Sequence, residues 1–383
     1  MKILFVAHCT DLSGANKSLL DIIMHLKERN DIYVLVNKSQ GKLIDQLNRI
    51  NIPHIVASFS WWYARGAESI LTKIYRYVID FSRYWSHRLT YKEFIYIKNQ
   101  NFDCVYTNTS TVDVGAIIAR KLNIPHFWHI REYGDKDFHF TRIRSSRYME
   151  KLFKLSSKNI FISYNLFDTY TDKFQIQNGV VIYNGFHISS LRGDCLYGSN
   201  KDTSYNLLVT GQVISGKGQE QAIKAVHNLY SRSVPVHLYL AGPVDKNYLD
   251  PILKCYQNWT RWLTILGNVD DIYSLRNSMH IELVCSHSEA FGRVTIEAML
   301  HHIPVIGARA GATPELIINN ETGLLFTLDD VLDLERKIFF LINNPTIGKL
   351  LADNAFHYAE KFSIENTCIK IENLISKDFL NEN

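Results

Sequence analysis

The sequence predicts an α/β protein built from two doubly wound, Rossmann-like domains. A chain of 383 residues is too long for one ordinary hydrophobic core and suits two domains. Residues 1–37 follow the order strand, loop, helix, strand, which is typical of a βαβ unit in a parallel sheet. The same order begins again at residue 206, where an apolar strand leads into a glycine-containing loop and a helix. We place the first domain at residues 1–186 and the second at residues 187–365.

The first βαβ unit contains a loop that is a candidate ligand contact. A strand over residues 2–8 is followed by the loop CTDLSGAN and by a helix that carries Leu19 and Ile22 on one apolar face. The loop has a single glycine, Gly14, and lacks the G-x-G-x-x-G pattern of a dinucleotide site, so bound NAD is not expected. Gly14 is either a plain turn residue or a point where the backbone approaches a ligand.

Residues 59–100 combine aromatic and basic side chains on segments that we predict to be helical. This composition suits the interface of an anionic bilayer. It suits equally well a helical insertion that packs on the first domain and leaves a basic face in solvent, and both interpretations stay open. Nucleic-acid binding is not expected, because no recognisable nucleic-acid-binding module accompanies these Lys and Arg residues. The residues concerned are Trp61, Trp62, Tyr63, Tyr75, Tyr77, Phe81, Tyr84, Trp85 and Tyr91, with Arg65, Lys73, Arg76, Arg83, Arg88 and Lys92.

The predicted strand HFWHI, residues 126–130, ends where parallel sheets bind ligands. His129 stands near its carboxyl end, although a single histidine in such a position is more often structural. The residues that follow, 135–147, are interpreted as a mobile basic loop, and residues 189–204 as a polar linker between the domains.

The glycine-containing loop of the second domain, residues 211–218, carries a lysine at a position where the helix dipole disfavours positive charge. Lys217 lies next to the start of the following helix, so its charge opposes the dipole. An anion bound between Lys217 and the helix explains this placement better than stability does.

The most informative stretch is residues 281–305, IELVCSHSEAFGRVTIEAMLHHIPV. It predicts a buried strand over residues 281–285, a loop, and a helix from Arg293. Glu289 precedes this helix and Glu297 lies about one turn inside it, so the two acids flank a helix N-terminus that can bind an anion. A phosphate there would have a carboxylate on each side to accept hydrogen bonds from the hydroxyl groups of a nucleotide sugar. The alternative is that both acids are ordinary solvated helix residues.

A set of spaced residues extends beyond these two acids. Its members are Glu289, Phe291, Gly292, Glu297, Ala298, Met299, Pro304, Val305, Gly311, Pro314, Glu315 and Gly323. The set resembles the E-x7-E signature of the retaining glycosyltransferases of family 4. The resemblance implies the GT-B fold, in which two Rossmann-like domains face a central cleft and a C-terminal helix, here residues 366–383, packs back on the first domain. It also implies transfer of a hexose from a nucleotide-diphosphate sugar to a hydroxyl group, with retention of configuration and without an essential metal or other cofactor.

The resemblance assigns roles to single residues. Glu289 positions the transferred sugar, His129 approaches the donor sugar, and Lys217 stabilises the leaving diphosphate in a front-face displacement; these are the implied catalytic residues. Gln212 departs from the family pattern, which has arginine there, and Arg293 is a candidate to supply the missing charge. For His301 and His302, which replace a small residue and glycine, we expect only altered packing. The implied donor-binding residues are Gly14, Gln212, Lys217, Val269, Glu289, Phe291, Gly292, Arg293, Val294 and Glu297.

The expected acceptor is a saccharide or a lipid-linked saccharide used for an envelope or capsular polysaccharide or another glycoconjugate. An epimerase or phosphorylase with the same fold stays an alternative, as does a non-catalytic nucleotide-sugar-binding protein, because each would use similar residues. The base and sugar of the donor are left open.

Charge, cysteines and hydropathy bear on where the protein works. Residues 1–186 carry 25 Lys and Arg against 16 Asp and Glu, whereas the remainder carries 17 against 22. Only the first domain is therefore expected to approach an anionic partner. No apolar run has the length of a signal peptide core or a membrane span, so we expect a cytoplasmic protein and a candidate for peripheral binding to the inner face of the plasma membrane. Six cysteines without ligand spacing indicate reduced thiols: Cys9, Cys104, Cys195, Cys255, Cys285 and Cys368.

Overall fold

A computed structural model of the chain describes residues 1–66, 69–188 and 204–381. These residues divide into two compact units, of which the first comprises Met1–Gly185 with Ile364–Asn383 and the second Phe186–Ser363. The predicted linker lies outside the described residues except for Ser204, and so does Cys195.

Among the described residues, nine strands belong to the first unit. They are β1 Lys2–Val6, β2 Asp31–Val36, β3 His54–Val56, β4 Tyr63–Ala64, β5 Cys104–Thr107, β6 His126–Ile130, β7 Thr141–Arg142, β8 Lys158–Phe161 and β9 Gly179–Val181. Seven of them form a parallel sheet in the order β3-β2-β1-β5-β6-β8-β9. Chain order reverses between β1 and β5, and open sheets bind ligands at such a switch point, outside the carboxyl ends of the strands.

Several helices of the first unit pack on this sheet with apolar faces. The first helix, for example, buries Leu19, Ile22, Ile23 and Leu26 at the spacing of one helical face. The helices are α1 Gly14–Leu26, α2 Lys42–Arg49, α3 Ile70–Ser86, α4 Tyr91–Lys98, α5 Val114–Leu122, α6 Asp135–Phe138, α7 Ser146–Leu155 and α8 Tyr164–Phe174.

The described part of the second unit repeats the same architecture with six parallel strands. The strands are β10 Tyr205–Thr210, β11 Val236–Ala241, β12 Leu263–Gly267, β13 Ile281–Val284, β14 Val305–Ala308 and β15 Leu324–Phe326. Their order is β12-β11-β10-β13-β14-β15, so the switch point lies between β10 and β13. The helices are α9 Gln219–Ser231, α10 Lys246–Leu253, α11 Ile272–Arg276, α12 Arg293–Leu300, α13 Thr313–Leu316, α14 Val331–Asn343 and α15 Pro345–Ala359. Two parallel sheets with helices confirm the predicted class of two Rossmann-like domains.

The last helix, α16, spans Ile364–Asn381 and belongs to the first unit. Its residues Cys368, Ile371 and Ile375 are buried in the same core as the apolar face of α1. The first unit is therefore assembled from both ends of the chain.

The start of the aromatic and basic segment differs from the prediction. Trp62 and Tyr63 lie in no helix and are buried, and the Trp62 ring stacks on Trp128 with 5.4 Å between centroids. Strand β4 pairs with β7, in the region predicted to be a mobile basic loop. That loop prediction was wrong, because a two-residue pairing held by buried rings from distant parts of the chain leaves no periodic signal in the sequence.

Buried histidines make the stability of the first unit depend on pH. His126 accepts from or donates to Thr107 and Ser156, each at 2.8 Å, and burial lowers its pKa to about 3. Burial, followed by the charge of Arg131, lowers the pKa of His8 to about 4. Unfolded histidines titrate near ~6.5. Between that value and the folded pKa the unfolded chain binds more protons, so stability falls as the pH drops through this window.

We expect the free energy of unfolding of the first unit to fall between pH 7 and pH 5 by about 2 kcal/mol for each such histidine. Urea titrations at the two pH values measure this. In a His126→Gln variant the fall should shrink by about 2 kcal/mol, whereas His87→Gln, at an exposed position of the same unit, should leave it unchanged. An equal pH effect in all three proteins would contradict the assignment.

Candidate active site

The loop between β13 and α12, residues 285–292, is held from two sides by glycines. Gly218 has φ of +65°, and a Cβ there would lie 2.1 Å from the carbonyl oxygen of Cys285. Gly311 has φ of +54°, and a Cβ there would lie 2.5 Å from the backbone nitrogen of Glu289. The Ala312 N–H also donates to the carbonyl oxygen of Glu289 at 2.8 Å. Neither neighbour could carry a side chain, so the loop has a fixed position.

The clamped loop brings Glu289 against Lys217. Lys217 Nζ donates to Glu289 Oε1 at 2.6 Å, and the Ser286 hydroxyl donates to the same oxygen at 2.7 Å. Lys217 ends a short 3-10 turn, Ser215–Lys217, immediately before α9. Its charge therefore meets a carboxylate from the neighbouring loop, and both side chains stay partly exposed. Ser286 was not among the predicted site residues.

Glu297 lies in a network of charges that the sequence did not suggest. Arg276 donates to Glu297 at 3.3 Å and to Glu282 at 3.1 Å, and the side chains of Arg276 and Glu282 are fully buried. Burial raises the pKa of Glu282, and the charge of Arg276 opposes that rise. Arg293 lies 3.7 Å from Glu297 on its other side. The sequence feature that could have indicated this network is the acid inside the apolar strand IELV, because a buried carboxylate needs a positively charged partner.

The N-terminus of α12 begins at Gly292 and has no side-chain cap. Gly292 is the N-cap residue, with φ of +98°. Beside it the Arg293 guanidinium lies over the Phe186 ring, 4.5 Å from its centroid. The Phe291 ring is buried and contacts Phe186 and Phe362, whereas Val294 is half-buried. The helix end therefore offers backbone N–H groups and one cation.

Two further predicted donor-binding residues lie at the same edge of this sheet. Gln212 follows β10 with its side chain exposed, and its carbonyl oxygen accepts from Gln219 at 2.9 Å. Val269 follows β12 and is half-buried. Since all strands of the sheet are parallel, their carboxyl ends share one edge with residues 285–292.

His129 lies in the first unit, fully buried near the carboxyl end of β6. Its Nδ1 contacts Tyr106 Oη and lies 3.1 Å from Arg131 Nη2. Arginine can only donate, so Nδ1 is the acceptor and the proton of the neutral ring is on Nε2. Burial, reinforced by the charge of Arg131, holds the pKa of His129 well below its usual range. His129 is therefore a neutral hydrogen-bond donor through Nε2.

The same network reaches the first turn of α1. Arg131 Nε donates to Asn108 Oδ1 at 2.7 Å, and Asn108 Nδ2 donates to the carbonyl oxygen of Ala15 at 2.9 Å. Ala15 follows Gly14, at which an added Cβ would meet open space. The buried polar atoms near this edge that find no hydrogen-bond partner among the described residues include His8 Nδ1, Asn16 Oδ1 and His129 Nε2. Such atoms in one area are typical of a ligand site.

The structure thus groups the predicted residues into two sets. Gly14 and His129 belong to the first unit, and the nine other donor-binding residues, which include Lys217 and Glu289, belong to the second. In the described parts of the chain, no group of three or more His, Cys, Asp or Glu side chains is arranged to hold a metal ion. None of the helices among those residues combines the length and apolarity needed to cross a membrane.

Sequence comparisons with known proteins find glycosyltransferases. Residues 198–361 match the model of the family Glycosyl transferases group 1. The chain is 28% identical over 273 residues to an uncharacterized glycosyltransferase of Methanocaldococcus jannaschii, covering 70% of this chain and 74% of that one. It is 24% identical over 211 residues to the capsular polysaccharide biosynthesis glycosyltransferase CapM of Staphylococcus aureus, covering 55% of each.

Solved structures show the fold. The crystal structure of Anabaena HepE in complex with UDP superposes with a TM-score of 0.77 at 22% identity, covering 98% of this chain and 100% of that one. A glycosyltransferase from Rickettsia africae superposes with a TM-score of 0.76 at 19% identity, covering 100% and 99%. These likenesses place the two Rossmann-like units in the GT-B class, and together with the family match they support a glycosyltransferase.

Proposed function

We propose that this chain, a glycosyltransferase of the GT-B class, is a retaining hexosyltransferase of family 4 that uses a nucleotide-diphosphate sugar. The observation that carries the proposal is the Lys217–Glu289–Ser286 cluster beside the uncapped start of α12. It combines a cation for a diphosphate, a carboxylate for sugar hydroxyls, and the backbone N–H groups of a helix N-terminus at one sheet edge.

Lys217 is the group that stabilises the leaving diphosphate. Its ammonium has three N–H donors, and the bond to Glu289 uses one of them, which leaves two for phosphate oxygens. Cleavage of the glycosidic bond places a further negative charge on the diphosphate, so a fixed cation stabilises the transition state more than the bound donor. Arg293, at the start of α12, supplies the charge that Gln212 lacks, and the reaction then needs no metal ion.

Glu289 and Glu297 receive the hydroxyl groups on the two sides of the diphosphate. Glu289 is positioned by Ser286 and by its clamped backbone, and it orients the transferred sugar for front-face displacement. Glu297 is held by Arg276 and accepts hydrogen bonds from the ribose. HepE, a structural neighbour, has been crystallised with UDP and with UDP-glucose, which supports a nucleotide-sugar donor here.

His129 acts as a hydrogen-bond donor rather than as a base. Its Nδ1 is occupied by Tyr106 and Arg131, and its pKa is too low for the ring to take up a proton near neutral pH. The Nε2–H group is therefore free to donate to a hydroxyl oxygen of the donor sugar and to orient it.

The acceptor in this proposal is a saccharide or a lipid-linked saccharide, as in envelope or capsular polysaccharide synthesis. The similarity to CapM and the basic first half of the chain support it. We place the enzyme in the cytoplasm, in part at the inner face of the plasma membrane.

A panel of nucleotide sugars tests the reaction. We expect nucleotide diphosphate release from one donor, with the rate raised by saccharide or lipid-linked acceptors and with an α- or β-linked product that keeps the configuration of the donor. Conversion of the donor without release, strict dependence on free phosphate, or binding without turnover would instead identify an epimerase, a phosphorylase or a binding protein.

Glu289→Gln tests the role of the carboxylate. It keeps the shape of the side chain but removes its charge, so we expect kcat to fall by roughly 100-fold with a smaller change in KM for the donor. Glu220→Gln removes an exposed acid of the same unit and should leave both constants unchanged. A loss that appears only in KM would show that Glu289 binds the donor without acting in the transition state.

A further inference from the structure

The faces of α3 are reversed relative to those of an ordinary surface helix. Its two buried residues are the polar Asp80 and Tyr84. Its apolar side chains are exposed, reaching 81% for Leu71 and 76% for Ile70. We call the exposed apolar row the α3 stripe, and it consists of Ile70, Leu71, Ile74, Val78, Phe81 and Trp85. These positions fall within about 100° of the helix circumference.

Polar contacts hold α3 in this orientation. Asp80 accepts from the backbone N–H of Arg65 at 3.0 Å and from its guanidinium at 3.1 Å, and it also contacts Arg83 at 3.5 Å. Tyr84 donates to the buried Asp113. The stripe cannot turn inwards without removing the buried Asp80 from its arginine partners and breaking the hydrogen bond between Tyr84 and Asp113.

An exposed apolar row of this size indicates a surface that binds a partner. Helices of globular proteins bury such a row against the core, and exposed apolar patches mark binding surfaces. A row of large apolar and aromatic residues, with bases beside it, is typical of helices that lie in the plane of a membrane interface.

The charges around the stripe decide between a bilayer and a second copy of the chain. Residues 59–100 contain seven Lys and Arg against three Asp and Glu. On α7 the exposed bases Arg147, Lys151 and Lys154 share one helical face. The guanidinium of Arg144, just before α7, lies 5.1 Å from the ring centroid of Trp85. Two copies joined at the stripe would bring two basic borders together, whereas an anionic bilayer complements both the apolar row and the bases.

We propose that α3 is a membrane-docking helix that lies in the plane of an anionic bilayer. The α3 stripe enters the boundary between headgroups and acyl chains, and the surrounding bases contact lipid phosphates. This deepens the proposed function by giving the enzyme access to a lipid-linked acceptor, but docking itself requires no transfer reaction.

Sedimentation of the full chain with vesicles tests the docking. We expect binding to phosphatidylcholine vesicles that contain phosphatidylglycerol, weaker binding at high salt, and little binding to phosphatidylcholine alone. Leu71→Asp combined with Ile74→Asp should weaken binding by at least roughly tenfold, because both side chains leave the acyl region. The matched control is Leu332→Asp with Leu350→Asp, at positions that are 61% and 58% exposed in the second unit, and it should bind like the wild type.

The basic residues need a test that leaves the fold unchanged. Arg76 and Arg83 are unsuitable, because Arg76 donates to the Gly66 carbonyl oxygen and Arg83 pairs with Asp80. Lys73 and Lys92 are exposed, so Lys73→Gln with Lys92→Gln should weaken anionic binding and reduce its salt dependence.

Trp85 reports the orientation of the helix. With brominated lipids, fluorescence quenching should be smaller in Trp85→Phe than in the wild type. Absence of binding at low salt, or equal binding by the stripe variant, would overturn the proposal. A dimer in analytical ultracentrifugation that the stripe variant loses, without vesicle binding by the wild type, would assign the stripe to a second copy. Nucleotide binding by calorimetry should be unchanged in the stripe variant, so a failure of docking can be told from a failure of the proposed function.

Discussion

Replacing Lys217 by alanine is expected to lower kcat for sugar transfer by roughly 100- to 1,000-fold, the range for one group that stabilises developing charge. The physical reason is that the diphosphate gains negative charge as the glycosidic bond breaks, next to an ammonium that Glu289 holds in place at 2.6 Å. Affinity for the donor should fall as well, because the bound diphosphate is already charged. Steady-state kinetics with the donor identified in the panel, together with calorimetry of nucleotide binding, measures the two effects separately.

The control for this variant is Lys224→Ala. Lys224 lies on α9, directly after the same loop, and pairs with Glu220 on the surface. The two variants lose the same charge in the same unit, so a general electrostatic effect on an anionic substrate would appear in both. If Lys217→Ala retained its rate, or lost no more than Lys224→Ala, the role given to Lys217 would be wrong.

The part of the site that the sequence predicted is local in the chain. Strand β13, the loop after it and the start of α12 follow one another, and an apolar run, a glycine and a helical period mark each of them. The clamp on this loop was not predictable in the same way. It depends on Gly218 and Gly311, which are far from the loop in sequence and whose fit appears only once the backbone is known.

The sequence could not predict which side chains contact one another in the folded protein. His129 was singled out for its position at a strand end, but its tautomer follows from Tyr106 and Arg131, whose contacts require folded geometry. The composition of residues 59–100 left a membrane surface and a packed insertion equally open. The structure divides the segment instead: Trp62 is core, whereas the α3 stripe is exposed, because burial of Asp80 fixes which face turns inwards.

Arg276→Met is expected to destabilise the second unit by about 3–5 kcal/mol, the cost of removing one partner from a buried ion pair. Arg276 and Glu282 are completely buried, 3.1 Å apart, and Glu297 is the second carboxylate that depends on the same guanidinium. Methionine fills a similar volume but leaves Glu282 without a base. Burial already raises the pKa of Glu282, and loss of Arg276 should raise it further. Thermal unfolding of the variant, compared with exposed Arg261→Met, measures the loss.

Two observations separate a missing charge partner from a packing defect in this variant. When the pKa of Glu282 is higher in the folded than in the unfolded state, its ionised carboxylate destabilises the folded state most at high pH. This destabilisation declines as the pH falls through the folded-state pKa. The deficit of Arg276→Met should therefore be larger at pH 8 than at pH 5.5. Glu282→Gln added to Arg276→Met should restore much of the stability, since an amide of the same shape carries no charge. A deficit that is constant with pH and unchanged in the double variant would mean that Arg276 stabilises the unit by packing alone.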